Sequence, residues 1–447
     1  MSNVEHQAPP AAALVGSMRD FRVPTGPDLL GRIEGFYRWQ DARRQSGLWP
    51  FSRATQSGPG ATVAAQDDRG QRMTGVNFAS QDYLSLASHP RIKATAREAI
   101  ERYGVHSAGS PALVGNTAHS VALERKIAEF LGMQEAILFP TGWAAGYGVI
   151  RGLVRSADHI VMDTLSHACL QEGANAATRN IYQYRHLDLD HCRRWLSQIR
   201  AKDTENAILV VTEGLFSMDS DTPNLVAMQD LCHEYKATLV VDVAHDLGCL
   251  GEDGRGHIGL QGMLGKVDLV MGSFSKTFAS NGGFVACRNR AIKEYLRFYS
   301  SPTTFSNALS QAQAAVVLEA FEIVESEEGR ALRSLLMKNI LELRASLRVK
   351  GLDFYGMPSA IVAVKAGSEG LARLVSRRLP ELGLLANLVE YPAVAKGAAR
   401  FRMQVMAGHT SQNIADAVER IATAFAFATE EYRKAKEPEV LAAAVAA

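Results

Sequence analysis

Short apolar runs that end in chemically active residues, separated by helix-length segments, set the architecture of this chain. AILFPTG (136–142), HIVMD (159–163), AILVVTEG (207–214), TLVVDVAHD (238–246) and VDLVMGSFSK (267–276) read as strands, and VALERKIAEFL (121–131) and NLVAMQDLCHEYK (224–236) carry helical periodicity between them. Alternation of this kind gives an α/β fold with a mostly parallel central sheet covered by helices. Strands buried on both faces account for the near-continuous Val, Ile and Leu. In such sheets ligands bind at the carboxyl ends of the strands. Here those ends carry Thr141 with Gly142, Asp163, Glu213, Asp242 with His245, and Ser273 with Lys276.

The rest of the chain is organised around that core. The first ~30 residues, rich in Pro, Ala and Gly, read as an arm that precedes a helix through GRIEGFYRWQDARRQSG (31–47). Beyond about residue 310 long helical stretches alternate with AIVAVKAG (360–367), LLANLVEYP (384–392) and RFRMQVMAGH (400–409), a smaller α+β C-terminal domain closed by a helix near SQNIADAVERIATAFAFATEEYRKAK (411–436). The expected divisions are an N-terminal arm and helical segment (1–75), a large domain (76–315), a small domain (316–432) and a flexible tail (433–447).

Charge narrows the partners. With 48 Lys and Arg against 47 Asp and Glu, the net charge is +1, which gives no electrostatic footprint for nucleic acid or an anionic membrane and favours a small-molecule substrate. The five cysteines show neither CxxC pairs nor metal-ligand spacing, so no metal is expected and the thiols read as reduced. The start, MSNVEHQAPPAAALVG, has no basic n-region, and no stretch approaches the ~18 apolar residues of an integral membrane segment. The expected location is cytoplasmic.

Lys276 sits among Gly, Ser, Thr and Ala in MGSFSKTFASNGGFV (271–285). It is either a solvated loop lysine or an amine whose lowered pKa lets it form a Schiff base with an aldehyde cofactor. Asp242 follows three apolar residues, so its carboxylate needs a positive partner. A nearby Arg, a helix cap, or the protonated ring nitrogen of pyridoxal phosphate (PLP) would serve, the last keeping the ring an electron sink. His245 and Ser217 can bond the cofactor's phenolic oxygen, and His167 offers a ring face for stacking or is an ordinary core or surface histidine. Thr141 with the amides of Gly142 and Trp143 at a helix start, and the Ser273 hydroxyl, form a donor set for a phosphate.

Taken in order, TGW, DTLSHACL, TEGLFSMDSD, VDVAHD, GSFSKTF and RFRMQVMAGHT resemble the α-oxoamine synthases, over about residues 35–430. These are fold-type I PLP enzymes that include serine palmitoyltransferase, 2-amino-3-ketobutyrate CoA ligase and 8-amino-7-oxononanoate synthase. The resemblance implies catalytic roles for Lys276, as the Schiff-base lysine, and for Asp242, His245 and His167. It implies cofactor contacts from Thr141, Gly142, Trp143, Glu213, Ser217 and Ser273. Ser306 and Asn307, in TFSNAL (304–309), match a segment that reaches the phosphate from a second subunit, which implies a homodimer with the active site at the subunit interface. Arg402 matches the arginine that grips the amino-acid carboxylate.

Three departures fall on the substrate side of this pattern. Val243 stands where the family's DEAH has an acid, Gln81 in SQDYLS (80–85) where an Asn contacts substrate, and His106 and Pro111 in HSAGSPALVGNT (106–117) where Gly and Arg are usual. The implied activity is an acyltransferase: a decarboxylating condensation of serine, glycine or alanine with an acyl-CoA, or an acyl carrier, to an α-amino ketone. A serine-palmitoyltransferase-like specificity is favoured, and the ligase-like and oxononanoate-synthase-like specificities are the alternatives. Outside the family, a PLP aminotransferase or lyase and a non-catalytic scaffold subunit are the competing classes. Arg43 and Arg44 are candidates for the CoA phosphates or for a solvated helix face.

Overall fold

The structure, a computed structural model, describes residue 9 and residues 11–446, with side chains at residue 9 and over 13–435. The opening of the expected arm (1–8 and residue 10) and Ala447 lie outside the described residues. The chain divides into two compact units, residues 1–80 with 338–447, and residues 81–337. The N-terminal segment and the C-terminal domain therefore share a unit.

Among the described residues the strands, in chain order, are β1 (Ala54–Thr55), β2 (Thr62–Gln66) and β3 (Arg72–Phe78); β4 (Glu135–Phe139), β5 (His159–Asp163), β6 (Ile181–Tyr184), β7 (Ile208–Glu213), β8 (Thr238–Asp242), β9 (Leu269–Ser273) and β10 (Gly283–Cys287); and β11 (Phe354–Tyr355), β12 (Ile361–Gly367), β13 (Leu384–Val389) and β14 (Ala399–Gln404).

The unit 81–337 is built on the sheet β4-β10-β9-β8-β7-β5-β6. Every neighbouring pair is parallel except the two that involve β10. All strands but β10 thus point one way, and the carboxyl ends read from the sequence share one edge. Ile137, Ile160, Val211, Val240, Met271 and Val285 belong to one buried cluster on this sheet. The helices that follow the strand ends are capped by residues at those ends. Thr141 takes the Ala144 amide at the start of the helix Gly142–Leu153, and His167 takes the Cys169 amide at the start of Ala168–Ala177.

The unit 1–80 with 338–447 carries the mixed sheet β1-β2-β3-β13-β14-β12-β11, antiparallel throughout except for the parallel pair β3 and β13. The segment 1–75 therefore holds, besides its helix Glu34–Gln45, strands that complete a sheet with the C-terminal part of the chain. Gly75 makes the parallel pairing possible: a Cβ there would lie 2.1 Å from the Gly383 carbonyl oxygen, and Gly383 itself has φ +79°.

Arg43, expected at a CoA phosphate or on a solvated face, does neither. It is fully buried, pairs with Glu390 at 2.9 Å and lies over the rings of Trp39 and Trp49. Arg373 pairs with the other Glu390 oxygen at 2.8 Å and donates to the carbonyls of Leu14, Val15 and Gly16, which ties the described part of the arm down. A lone buried arginine is costly, and one carboxylate neutralising two of them fixes both side chains in place. Arg44 is more exposed and pairs with Asp68. The C-terminal helix, Ser411–Ala446, runs through the positions expected as a tail.

Candidate active site

The site assembles at the carboxyl edge of the parallel strands in the unit 81–337. Asp242 ends β8 and is 6% exposed; its Oδ1 accepts the Ala244 amide at 2.9 Å. Glu213 ends β7 directly opposite Asp242 in the ladder and accepts the His167 amide at 2.6 Å. Burial raises the pKa of both carboxyls. At Asp242 the charges of His167 and Lys276 work against that rise. At Glu213 the charge of Asp242 adds to burial, so Glu213 is the member of the pair driven towards the neutral acid.

Lys276 follows β9 in a tight loop held by Phe274 N–H to Gly282 O (3.0 Å) and Ser280 N–H to Phe274 O (3.2 Å). Its charge is felt at Asp242, Glu213 and Cys169, which places the amine on the same edge as those groups. His167 is exposed, and its Nδ1 meets both the Cys169 amide (3.3 Å) and Cys169 Sγ (3.0 Å). The N-cap bond fixes the ring while leaving the residue open to solvent.

Thr141 and Gly142 lie against the end of β9. A Cβ on Gly142 would fall 2.4 Å from Ser273 Oγ, so only glycine brings the first turn of the helix Gly142–Leu153 this close to Ser273. Ser273 Oγ meets Ser275 Oγ at 2.8 Å. Thr141 Oγ1 is engaged with the Ala144 amide, and the amides of Gly142 and Trp143 lie in the turn that has no intrahelical acceptors. Trp143 stacks on Tyr147, centroids 5.2 Å apart and planes 12° from parallel.

His245 and Ser217 are both buried on the loops after β8 and β7. His245 Nδ1 meets the hydroxyl of Tyr83 at 2.8 Å. The loop bearing Ser217 is closed by Phe216 N–H to Asp221 O at 2.9 Å. His186, from the turn after β6, bonds buried Asp163 through Nδ1 (2.9 Å) and Asp221 through Nε2 (3.0 Å), with its ring edge-on to Phe216 at 4.6 Å. Burial opposes charge on His186, but the two carboxylates outweigh it and push the imidazole up to about 10. His186, Asp219 and Asp221 form a cluster of metal-ligand type, but both ring nitrogens of His186 are occupied by carboxylates, those of Asp163 and Asp221, so the arrangement is an ion-paired clamp.

The remaining expected residues carry contacts of their own. Ser306 donates to Pro302 O at 2.6 Å and Asn307 is exposed. Gln81 is half-buried in the turn next to Tyr83. Arg402 belongs to the other unit, on β14. With the Gln404 amide turned to accept, Arg402 bonds it through Nε (3.0 Å) and Nη2 (3.3 Å). Val243 is buried, with a methyl 3.3 Å from where a Cβ on Gly272 would stand, so this position is filled by core packing where the family has an acid.

The donor set fits PLP. Asp242 is a buried carboxylate in want of a cation, the Gly142–Trp143 turn and Ser273 suit a phosphate, and Lys276 supplies an amine on the same edge. The residues that reasoning from sequence missed are Tyr83 and His186; Asp163, read as a strand-end acid, is the group His186 bonds through Nδ1. The Tyr in SQDYLS and the His in YRHLD carry no local signal of the partners they meet.

The model of the family "aminotransferase class I and II" matches residues 74–421. The chain is 35% identical over 382 residues to serine palmitoyltransferase of Sphingobacterium spiritivorum, covering 86% of this chain and 93% of that protein. It is 33% identical over 380 residues to 2-amino-3-ketobutyrate coenzyme A ligase of Escherichia coli K12 (85% and 94%), and 32% identical over 388 residues to 8-amino-7-oxononanoate synthase of Coprothermobacter proteolyticus (87% and 96%). A solved structure of serine palmitoyltransferase with its PLP internal aldimine superposes with a TM-score of 0.83 at 27% identity, covering 90% of this chain and 99% of that one. No helix among the described residues is long and apolar enough to cross a membrane. With these likenesses spanning most of its length, the chain belongs to the class I and II aminotransferase family and, within it, to the α-oxoamine synthases, PLP-dependent acyltransferases of fold type I.

Proposed function

We propose that this enzyme condenses a small amino acid, serine first, with a medium- or long-chain acyl-CoA, releasing CO2 and CoA and yielding an α-amino ketone, as serine palmitoyltransferase does. The observation that carries this reading is the pairing of 35% identity to a serine palmitoyltransferase with a 0.83 TM-score to a solved one. The near-equal identities to the ligase and the oxononanoate synthase favour a second reading, glycine or alanine with a shorter acyl group.

In this reading Lys276 anchors the cofactor and its Nζ takes the α-proton of the amino acid. PLP, when bound, supplies the aldehyde that links to the amino acid and an electron sink for the bond broken at Cα. Asp242 keeps the ring nitrogen protonated, and His167 lays its ring along the cofactor. Thr141, Gly142, Trp143 and Ser273 hold the phosphate, Ser217 and His245 meet the phenolic oxygen, and Glu213 braces His167 through its amide. Arg402 clamps the substrate carboxylate, for which a bidentate guanidinium is suited, and Gln81 lines the substrate side.

The enzyme works as a homodimer in which Ser306 and Asn307 reach the partner's phosphate site. Exposed apolar side chains support this: Val105, Leu113, Val114, Phe298, Tyr299 and Phe305, of which Val114 is 91% and Phe305 85% exposed. They lie on two segments joined by Ser110 Oγ to Thr304 O (2.8 Å) and Ala308 N–H to Gly109 O (2.9 Å). Apolar surface of this kind marks an interaction face.

A matrix of amino acids against acyl-CoA chain lengths, scored by thiol release and product mass, tests the specificity. Serine with a long-chain acyl-CoA is expected to exceed glycine with acetyl-CoA by about tenfold or more in kcat/KM. The reverse order would overturn the reading.

A further inference from the structure

Tyr83 has no part in the roles assigned above, yet it is completely buried and its hydroxyl stands 2.8 Å from Nδ1 of His245, itself 7% exposed. The two rings are tilted by 46° with centroids 6.4 Å apart, so the contact runs through the hydroxyl and not through a stacked face. We propose that Tyr83 is a positioning residue for His245, donating its O–H to Nδ1 and so fixing the tautomer in which Nε2 carries the proton. The inference rests on the reading of His245 as a donor to the phenolic oxygen of the cofactor.

Both ends of the bond are held. Asp82, next to Tyr83, accepts the amides of Leu86 (2.8 Å) and Ala87 (3.2 Å), and the Ser85 amide closes onto Asp82 O at 2.8 Å. The turn that carries Tyr83 is thus braced by its own neighbour. On the other side, the Leu247 amide bonds Val243 O at 3.1 Å, and buried Asp246 accepts the His257 amide at 2.7 Å. His245 is therefore presented by a turn anchored on both flanks.

The chemistry gives the bond a direction. A neutral imidazole has one donor and one acceptor nitrogen, and whichever bond one nitrogen makes dictates what the other can do. A neutral phenol that donates to Nδ1 leaves Nε2–H as the donor. Removing the hydroxyl removes that bias towards Nε2–H, and the opposite tautomer puts a lone pair at Nε2 where a donor is required. Because Tyr83 neighbours Gln81, the same bond ties the substrate-side turn to the turn that follows Asp242.

Tyr83→Phe keeps the ring and removes only the hydroxyl. In the PLP-loaded enzyme it is expected to shift the balance of the cofactor's visible and near-ultraviolet absorption bands in the same direction as His245→Asn. It is also expected to lower kcat by about tenfold with KM for the amino acid nearly unchanged, while the thermal midpoint stays close to wild type. In the double variant the loss should be no larger than in His245→Asn alone, because Tyr83 acts through that ring. Fully additive losses, or a Tyr83→Phe spectrum and kcat equal to wild type beside an altered His245→Asn, overturn the role of Tyr83 and leave that of His245 standing. A His245→Asn enzyme whose cofactor spectrum is unchanged overturns the reading of His245 and this inference with it.

Discussion

Buried charge decides most of what individual residues do here. His186 stands between Asp163 and Asp221, bonded to both, and holds its proton up to about pH 10. Its folded pKa is raised above the unfolded 6.5, so the stability it contributes is fully present below pH 6.5 and is lost as pH rises through about 10. The gap in unfolding free energy between wild type and His186→Gln is expected to be flat below pH 6.5 and to narrow towards pH 10 in denaturant titrations. A gap that widens over that range would contradict the clamp. Asp242 stands out as a candidate because it is an acid closing an apolar run, where burial must be explained, and Lys276 because it is a lone amine among small residues just past another such run. His186 and Tyr83 were not legible, because their partners lie 35 and 162 positions away, brought together only by the sheet. Arg43 misled for the same reason: its arginine neighbour reads as one solvated face, whereas Glu390, far along the chain, takes the charge inside.

At the scale of elements, helix ends and close glycine contacts set the local backbone geometry. The helix Leu225–Glu234 finishes with Ala237 N–H on Cys232 O (2.8 Å) and Lys236 N–H on His233 O (3.2 Å), a Schellman ending in which Lys236 takes φ +49°. Lys236→Gly is expected to stabilise the protein by about 0.5–1 kcal/mol in equilibrium unfolding, since glycine adopts that backbone without a Cβ penalty. Gly142→Ala acts the other way: its Cβ would overlap Ser273, forcing the helix start off the strand end. That overpacking costs about 1–3 kcal/mol. Titrating the apoprotein with PLP should show affinity weakened by about tenfold or more. The five apolar runs became β4, β5, β7, β8 and β9 because period-free hydrophobicity bounded by polar ends is a strong strand signal. β6, with sequence IYQY, and β10, a GFVAC strand beside the Lys276 loop, were passed over. Each is short, and β10 runs against its neighbours, so neither fits the strand-helix rhythm that identified the others.

At the scale of the whole molecule, the candidate residues fall on two sheets. Those proposed for the cofactor follow strands of the parallel sheet, while Arg402 and its Gln404 partner belong to the mixed sheet built from both ends of the chain. That joining of the two ends was invisible in the sequence, because β1–β3 lie in a segment of mixed polarity whose pairing with β13 depends on Gly75 meeting Gly383. The exposed apolar face near residues 105–114 and 298–305 is expected to be buried in a dimer. Phe305→Asp should shift the protein from the mass of two chains towards one in sedimentation, with loss of activity, and a wild type that sediments as a monomer at assay concentration would contradict the dimer. The central claim, that the amine following β9 holds the cofactor against Asp242, is tested most directly by reducing the PLP-loaded enzyme with borohydride and mapping its peptides. The pyridoxyl group is expected on Lys276 and on no other lysine; its appearance elsewhere, or its retention in Lys276→Ala, would contradict the account.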